Sequence, residues 1–318
     1  MDFFQPPLKP DNPLVYHRIP FPAASVKVSL LCLGGISIGG SWSELFGKNE
    51  EPDTLLDIYL ALGGNFIDTS NTYNSEESER LLGEWDYATP VEEAMRHLHA
   101  YVMARQVLYL GVFDTSAWVV VKANEFARQH RLTPFSVYQG KWNAAYRDME
   151  AEVIPMCEDQ GVAIVSWASL GGGPLQTAKQ SEDKKNDPDA HKGYGLSETD
   201  VKVSEALERI ADAKKTTIQA VALAYLSHQS TYVFPIVGIQ SVSHVKAMPE
   251  AFIIELSKED LEDIQDASDF QPHLPQSFLY QWTGEEKYHT RLTSADVAQY
   301  QMTAWIQAPP KQAVSEMK

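Results

Sequence analysis

"LLGEWDYATPVEEAMRHLH", residues 81–99, reads as the end of one helix followed at once by the start of another. The first runs from Glu76 to about Trp85, with Ser75 as its N-cap and Leu81, Leu82 and Trp85 on its apolar side. The second opens on Thr89-Pro90-Val91-Glu92, which combines an N-cap, a proline at the first helical position and a capping-box acid. Its apolar residues Val91, Ala94, Met95, Leu98 and Val102 recur at helical spacing. On both sides of this stretch the chain alternates strand with helix. Two helices with no strand between them break that rhythm, and the architecture turns on what the break means.

Working outward, Val15 to Leu33 reads as a hairpin running into a first core strand. A helix over about 54–62 stops at Gly63-Gly64, and Asn65 to Asp68 is a short buried strand. Downstream, 106–112 is a strand, 116–130 a helix capped by Thr115, 135–139 a strand, 147–160 a helix and 162–170 a strand. A polar loop over about 171–198 is long for a compact domain and suits a lid or insertion. Helices over 200–214 and 217–228, a strand over 232–238 and helices near 242–252 and 257–268 follow, the last with a Ser257/Asp260 capping box. The chain divides into an N-terminal arm (1–14), a body (15–270) and a C-terminal extension (271–318).

Short apolar strands separated by amphipathic helices indicate an α/β fold whose parallel sheet is buried on both faces, as a doubly wound sheet or a barrel. Both gather reactive residues at strand C-terminal ends. The 318 residues carry 43 acids against 26 bases, a net charge of −17, which argues against nucleic acid and anionic membranes as partners. No apolar run approaches the ~20 residues of a membrane span, and the opening "MDFFQPPLKP" lacks the pattern of a secretory signal, so a cytoplasmic location is expected. The two cysteines, Cys32 and Cys157, lie in apolar stretches and read as buried thiols, and no metal site is expected.

Gly35-Ile36-Ser37-Ile38-Gly39 matches the G-x-S-x-G of a hydrolase elbow, but neither the preceding sheet nor the following helix is evident. Its glycines read better as a strand-end turn that lets a ligand approach the backbone. No G-x-G-x-x-G or Walker A occurs. His97 and His99 stand two apart on a helix, a poor metal pair. Gly171–Gly173 suits either a phosphate cradle or a mobile loop. In "DTSNTY", Asp68 closes a strand and Tyr73 lies five residues on. A phenol can donate a proton where an alkoxide develops, although a capping Asp and a half-buried Tyr fit the spacing equally.

The strand ends "LCLGGISIGG", "GGNFIDTSNTYNSEESE", "VLYLGVFDTSAWVV", "TPFSVYQGKWN", "VSWASLGGG" and "VFPIVGIQSVSHVKAMPEA" stand in the order of a barrel's. Together they resemble the aldo-keto reductase superfamily over roughly residues 15–310, and within it the fungal aryl-alcohol dehydrogenase and norsolorinic acid reductase branch. The resemblance implies a (β/α)8 barrel that reduces aldehydes or ketones with NADPH. It assigns proton donation to Tyr73, supported by Asp68, a lysine at the end of the third strand and a histidine at the end of the fourth.

The opening break now has a meaning. In relatives "GEW" is followed by the third and fourth strands. Here it runs directly into "DYATPVEEAM". At about 250 residues per eight units, on the order of sixty residues are absent, and the catalytic lysine and histidine are absent with them. The expected fold is a truncated TIM-type (β/α) barrel of about six core strands with an N-terminal β-hairpin, whose open edges offer a route to oligomerisation. Asp68 without its lysine disfavours the phenolate of Tyr73 and makes it a poorer acid–base catalyst.

For the cofactor, the resemblance implies Gln139 on the nicotinamide amide, Trp167 stacked on the ring and Asp114 beside them. Gly35, Ile36, Leu170, Gly171, Gly173, Gly238, Gln240, Ser241 and His244 complete the set. Phe113 replaces a serine, Met248 an asparagine, and the arginine and lysine suited to a 2′-phosphate are missing. NADPH is expected, with NADH open. The implied function is reduction of a small aromatic or polyketide carbonyl, impaired by the two losses. The alternatives are a non-catalytic homologue that binds a ligand or partner and, more remotely, a serine hydrolase through Ser37.

Overall fold

Apolar segments form parallel strands here, and the amphipathic segments between them form helices that cover one face of those strands. The computed structural model describes residues 24–36, 52–70, 89–186, 196–230, 232–239, 241–275, 277, 280–281 and 289–290. In chain order the strands are β1 (Cys32–Gly34), β2 (Ile67–Asp68), β3 (Leu110–Phe113), β4 (Phe135–Lys141), β5 (Ala163–Trp167), β6 (Ile236–Gly238), β7 (Tyr280–Gln281) and β8 (His289–Thr290). The helices are α1 (Pro52–Ala61), α2 (Val91–Met103), α3 (Ala117–His130), α4 (Val153–Gln160), α5 (Ala178–Asn186), α6 (Glu198–Lys214), α7 (Ile218–Gln229), α8 (Val242–Ala247) and α9 (Lys258–Ala267).

The six core strands make two parallel three-stranded sheets, ordered β2-β1-β6 and β3-β4-β5. A parallel bridge between Ile164 and Val233 joins them: Ile164 N donates to Tyr232 O, and Phe234 N donates to Ile164 O, both at 2.8 Å. Across that joint the order is β2-β1-β6-β5-β4-β3. Among the described residues no strand lies between β2 and β3, the two ends of the series. This is the truncated TIM-type arrangement expected from the sequence. The first arm of the expected hairpin lies outside the described residues.

Alternation along the strands sorts their side chains. Leu110, Val112, Tyr138 and Ile164 face outward into the main core, shared with α2, α3, α4, α6 and α7. Ala163, Val165 and Phe234 face inward, packed with Phe66, Val137 and Ile236. A separate outer core joins Leu31, Leu33, Leu55, Tyr59, Val237 and Phe252. Helix α7 is buried nearly all round, which explains its run of Ala, Leu and Val. The turn after β4 is tied down by a buried ion pair, Arg147 Nη2 to Glu150 Oε2 at 2.7 Å. Trp142 Nε1 donates to Glu150 Oε1 at 3.1 Å, and Arg147 Nη1 donates to the Gln265 carbonyl at 3.2 Å, so the same knot reaches α9.

Several sequence expectations need correction. Pro90 and Ser116, not Thr89 and Thr115, occupy the N-caps of α2 and α3, and neither makes a side-chain cap bond. The Thr115 hydroxyl donates to Phe113 O instead, at 2.8 Å. The expected loop over 171–198 contains α5, and the expected helix over 147–160 is a 3-10 turn (Asp148–Glu150) followed by α4. The Ser257/Asp260 capping box is present.

Candidate active site

The C-terminal ends of the strands fall into two groups, one per sheet. Gly34 lies opposite both Asp68 and Gly238, so the ends of β1, β2 and β6 stand side by side. Phe113 lies opposite Gln139, and Lys141 opposite Trp167, which aligns the ends of β3, β4 and β5. A side-chain bond links the groups: Gln139 Nε2 donates to Asp68 Oδ1 at 3.1 Å. Asp68 therefore receives an amide from across the inner face. A carboxylate acceptor makes this stronger than a neutral hydrogen bond.

Around Gln139 the turns are held firmly. Asp114 adopts a left-handed conformation, φ +41°, and its N–H donates to Gln139 O at 3.0 Å. Its carboxylate accepts from Trp167 Nε1 at 3.1 and 3.2 Å, which orients the indole. Phe113 is 45 % exposed on the inner side. Asn143, buried in the turn after β4, accepts at Oδ1 from Ala145 N and Tyr146 N at 2.8 Å each, and its Nδ2 donates to Ala168 O at 3.0 Å. Lys141 Nζ sits 4.2 Å from the Tyr146 ring centre and 5.8 Å from that of Trp167. Burial and the nearby Asp148 carboxylate hold the Tyr146 hydroxyl above its usual range, so it stays protonated.

After β5, Ala168 (φ +51°), Gly171 (+74°), Gly172 (+70°) and Gly173 (+110°) form a tight left-handed loop beside Leu170. Gly171 N donates to Ala168 O at 2.7 Å. Gly35 packs against the neighbouring strand: a Cβ there would sit 2.4 Å from Asp68 O. Its lack of a side chain serves the β1–β2 contact, and Ile36 follows it directly. Ser241 caps α8 by accepting from His244 N at 3.3 Å, which places both at the end of β6. Tyr73, Gln240 and Ser37 lie outside the described residues. Among the described residues no three metal-ligating side chains cluster, and no helix is long and apolar enough to cross a membrane.

Residues 30–85 and 84–269 match the sequence model of the Aldo/keto reductase family. The chain belongs to that family. The match comes in two pieces that meet at residues 84–85, where "GEW" runs into "DYATP". This aldo/keto reductase is 35 % identical over 376 aligned positions to norsolorinic acid reductase A of Aspergillus parasiticus, covering 96 % of this chain and 95 % of that one. Those 376 positions exceed the 318 residues here, so the relative has stretches with no counterpart in this chain. An aryl-alcohol dehydrogenase of Pestalotiopsis microspora is 34 % identical, covering 87 % of this chain and 88 % of its own. Among solved structures, a glycerol dehydrogenase from Gluconobacter oxydans superposes with a TM-score of 0.60 at 17 % identity, over 81 % of this chain and 97 % of that one.

Sequence reasoning missed Tyr146 and Asn143. Asn143 ends the segment "TPFSVYQGKWN" without a role assigned to it, Tyr146 lies three residues beyond, and the turn after β4 ties them together.

Proposed function

We propose that this chain is an NAD(P)H-dependent oxidoreductase of aldo-keto reductase type acting on an aryl or polyketide aldehyde or ketone, with acid–base chemistry impaired by the absence of the family's lysine and histidine. The observation that carries the reading is the Gln139–Asp68 bond, which brings the carboxylate assigned to proton chemistry against the amide assigned to the nicotinamide. The names of the relatives supply the substrate class.

The donor set suits a nicotinamide, since a carboxamide, an indole face and a carboxylate stand together at Gln139, Trp167 and Asp114. Gly35, Ile36, Leu170, Gly171 and Gly173 would line the path of the remainder, with Gly238, Gln240, Ser241 and His244 beyond. Bound there, NADPH, or NADH in its place, supplies the hydride. Tyr73 then gives its hydroxyl proton to the carbonyl oxygen, with Asp68 as its acidic neighbour. Without the family's lysine to favour the phenolate, the tyrosine is recharged slowly in one direction and acts weakly as a base in the other, so turnover is slow. A small aromatic carbonyl partner, a cytoplasmic location, self-association across the edges of β2 and β3, and division into a 1–14 arm, a 15–270 barrel-like body and a 271–318 extension complete this reading.

A second reading, a non-catalytic homologue that binds a ligand or partner, is favoured by the two-piece family match. Titration of NADPH and NADH, followed by tryptophan fluorescence and thermal shift, separates the two. Saturable binding, with reduction of aromatic aldehydes lost in Tyr73→Phe, supports the oxidoreductase. Absence of binding to a cooperatively folded protein sinks it and leaves the second reading.

A further inference from the structure

The turn after β3 is fixed from several directions. Tyr138 Oη donates to Thr115 O at 2.8 Å, the Thr115 hydroxyl donates to Phe113 O at 2.8 Å, and Asp114 N donates to Gln139 O at 3.0 Å. Asp114 itself stands at φ +41°, a left-handed conformation that a residue with a Cβ adopts at a cost. Its carboxylate reaches across to the end of β5. Trp167 Nε1 lies 3.1 Å from Asp114 Oδ1 and 3.2 Å from Oδ2, so both oxygens face one indole N–H. The same residue therefore holds Gln139 through its backbone and Trp167 through its side chain. The rings of Trp167 and Tyr146 lie 5.8 and 4.2 Å from Lys141 Nζ and make an aromatic wall at the ends of β4 and β5.

We propose that Asp114 is a positioning residue: its carboxylate fixes the plane of the Trp167 indole for the nicotinamide and makes no contact with the cofactor itself. The inference rests on the oxidoreductase reading and gives one of its cofactor residues a different task. Trp167 is the last residue of β5 and is only partly buried, so packing alone leaves its side-chain torsions room to turn the indole. A stacking ring contributes in one orientation and loses overlap in others. A charged acceptor holds the indole N–H more strongly than a neutral one, and acceptance by both oxygens resists rotation. The carboxamide of a nicotinamide needs a group that both donates and accepts. Gln139 has one, whereas a carboxylate only accepts.

The test is a double-mutant cycle on the full chain, read by calorimetric titration with NADPH, NADH and ADP-ribose, which lacks the nicotinamide. Asp114→Gly removes the carboxylate and keeps both the left-handed turn and the N–H bonded to Gln139. The expected result is about tenfold weaker binding of NADPH and of NADH, with ADP-ribose unchanged. Asp114→Asn tolerates the same φ and keeps a neutral acceptor, so it should lose less. In a Trp167→Phe background, Asp114→Gly should change nothing further. Without cofactor, the Trp167 indole proton of Asp114→Gly should move upfield in the NMR spectrum and exchange faster with water. A loss that persists in Trp167→Phe marks direct contact with the cofactor and overturns the proposal. So does unchanged binding of NADPH and NADH, or an equal loss for ADP-ribose, which marks a general change of the site. If Asp114→Gly does not fold, Asp114→Asn carries the same cycle. A wild type that binds neither NADPH nor NADH refutes the oxidoreductase reading and this inference with it, whereas normal binding with an additive cycle refutes only the task given to Asp114.

Discussion

A single hydroxyl holds much of the outer core together. Tyr59 is fully buried, and its oxygen lies 2.8 Å from the carbonyls of Leu31 and Phe66 and 2.9 Å from Ser29 Oγ. Its ring lies flat against Gly64, where a Cβ would fall 2.3–2.5 Å from ring carbons. Gly64→Ala is therefore expected to cost about 1–3 kcal/mol in urea unfolding, by forcing the ring off three polar partners. Glu150 carries a different risk. Replacing it with Ala leaves the buried Arg147 guanidinium without its carboxylate, and a loss of about 3–5 kcal/mol is expected by the same measurement. Alkali tests the buried phenols as a group. Burial pushes Tyr59 up to about 12 and raises Tyr138 and Tyr225 as well, against about 10 in an unfolded chain. Because the folded state keeps these protons longer, the contribution of these phenols to stability is constant below about pH 10 and falls as pH rises toward 12. Phenolate absorbance and circular dichroism are expected to change together over that window.

At the scale of elements, helices with an apolar period were legible, and so was the Ser257/Asp260 capping box. Helix α6 begins at a Ser197/Asp200 capping box and α9 at Ser257/Asp260. Ser197→Ala and Ser257→Ala should each lower stability by about 1 kcal/mol, measured by thermal unfolding. Helix α5 was not legible, because "AKQSEDKKN" has no apolar stripe for periodicity to find. Thr115 misled for a chemical reason: its hydroxyl found Phe113 O in the turn and left Ser116 to head the helix. The site shows the same division. Asp68, Asp114, Gln139 and Trp167 stand in strand-end motifs and could be named from sequence. The bond between Gln139 and Asp68 could not, since it spans sheets that meet only in the fold. Tyr146 was invisible because a buried asparagine, not a pattern, aims it.

Over the described residues, the strand series runs from β2 to β3 through two parallel sheets, with β2 and β3 at its two ends. The joint between the two sheets is slight by comparison, one bridge from Ile164 to Val233. Backbone amides therefore belong to two cooperative opening units of unequal depth. Hydrogen–deuterium exchange should show β4 and β5, backed by the main core, exchanging slowest, and β1 and β2 exchanging faster by a separate opening event. A single protection level across all six strands would contradict this. If two levels are seen, the half carrying Gln139, Lys141 and Trp167 can keep its shape while the half carrying Asp68 opens, and the aromatic wall outlives the proton machinery.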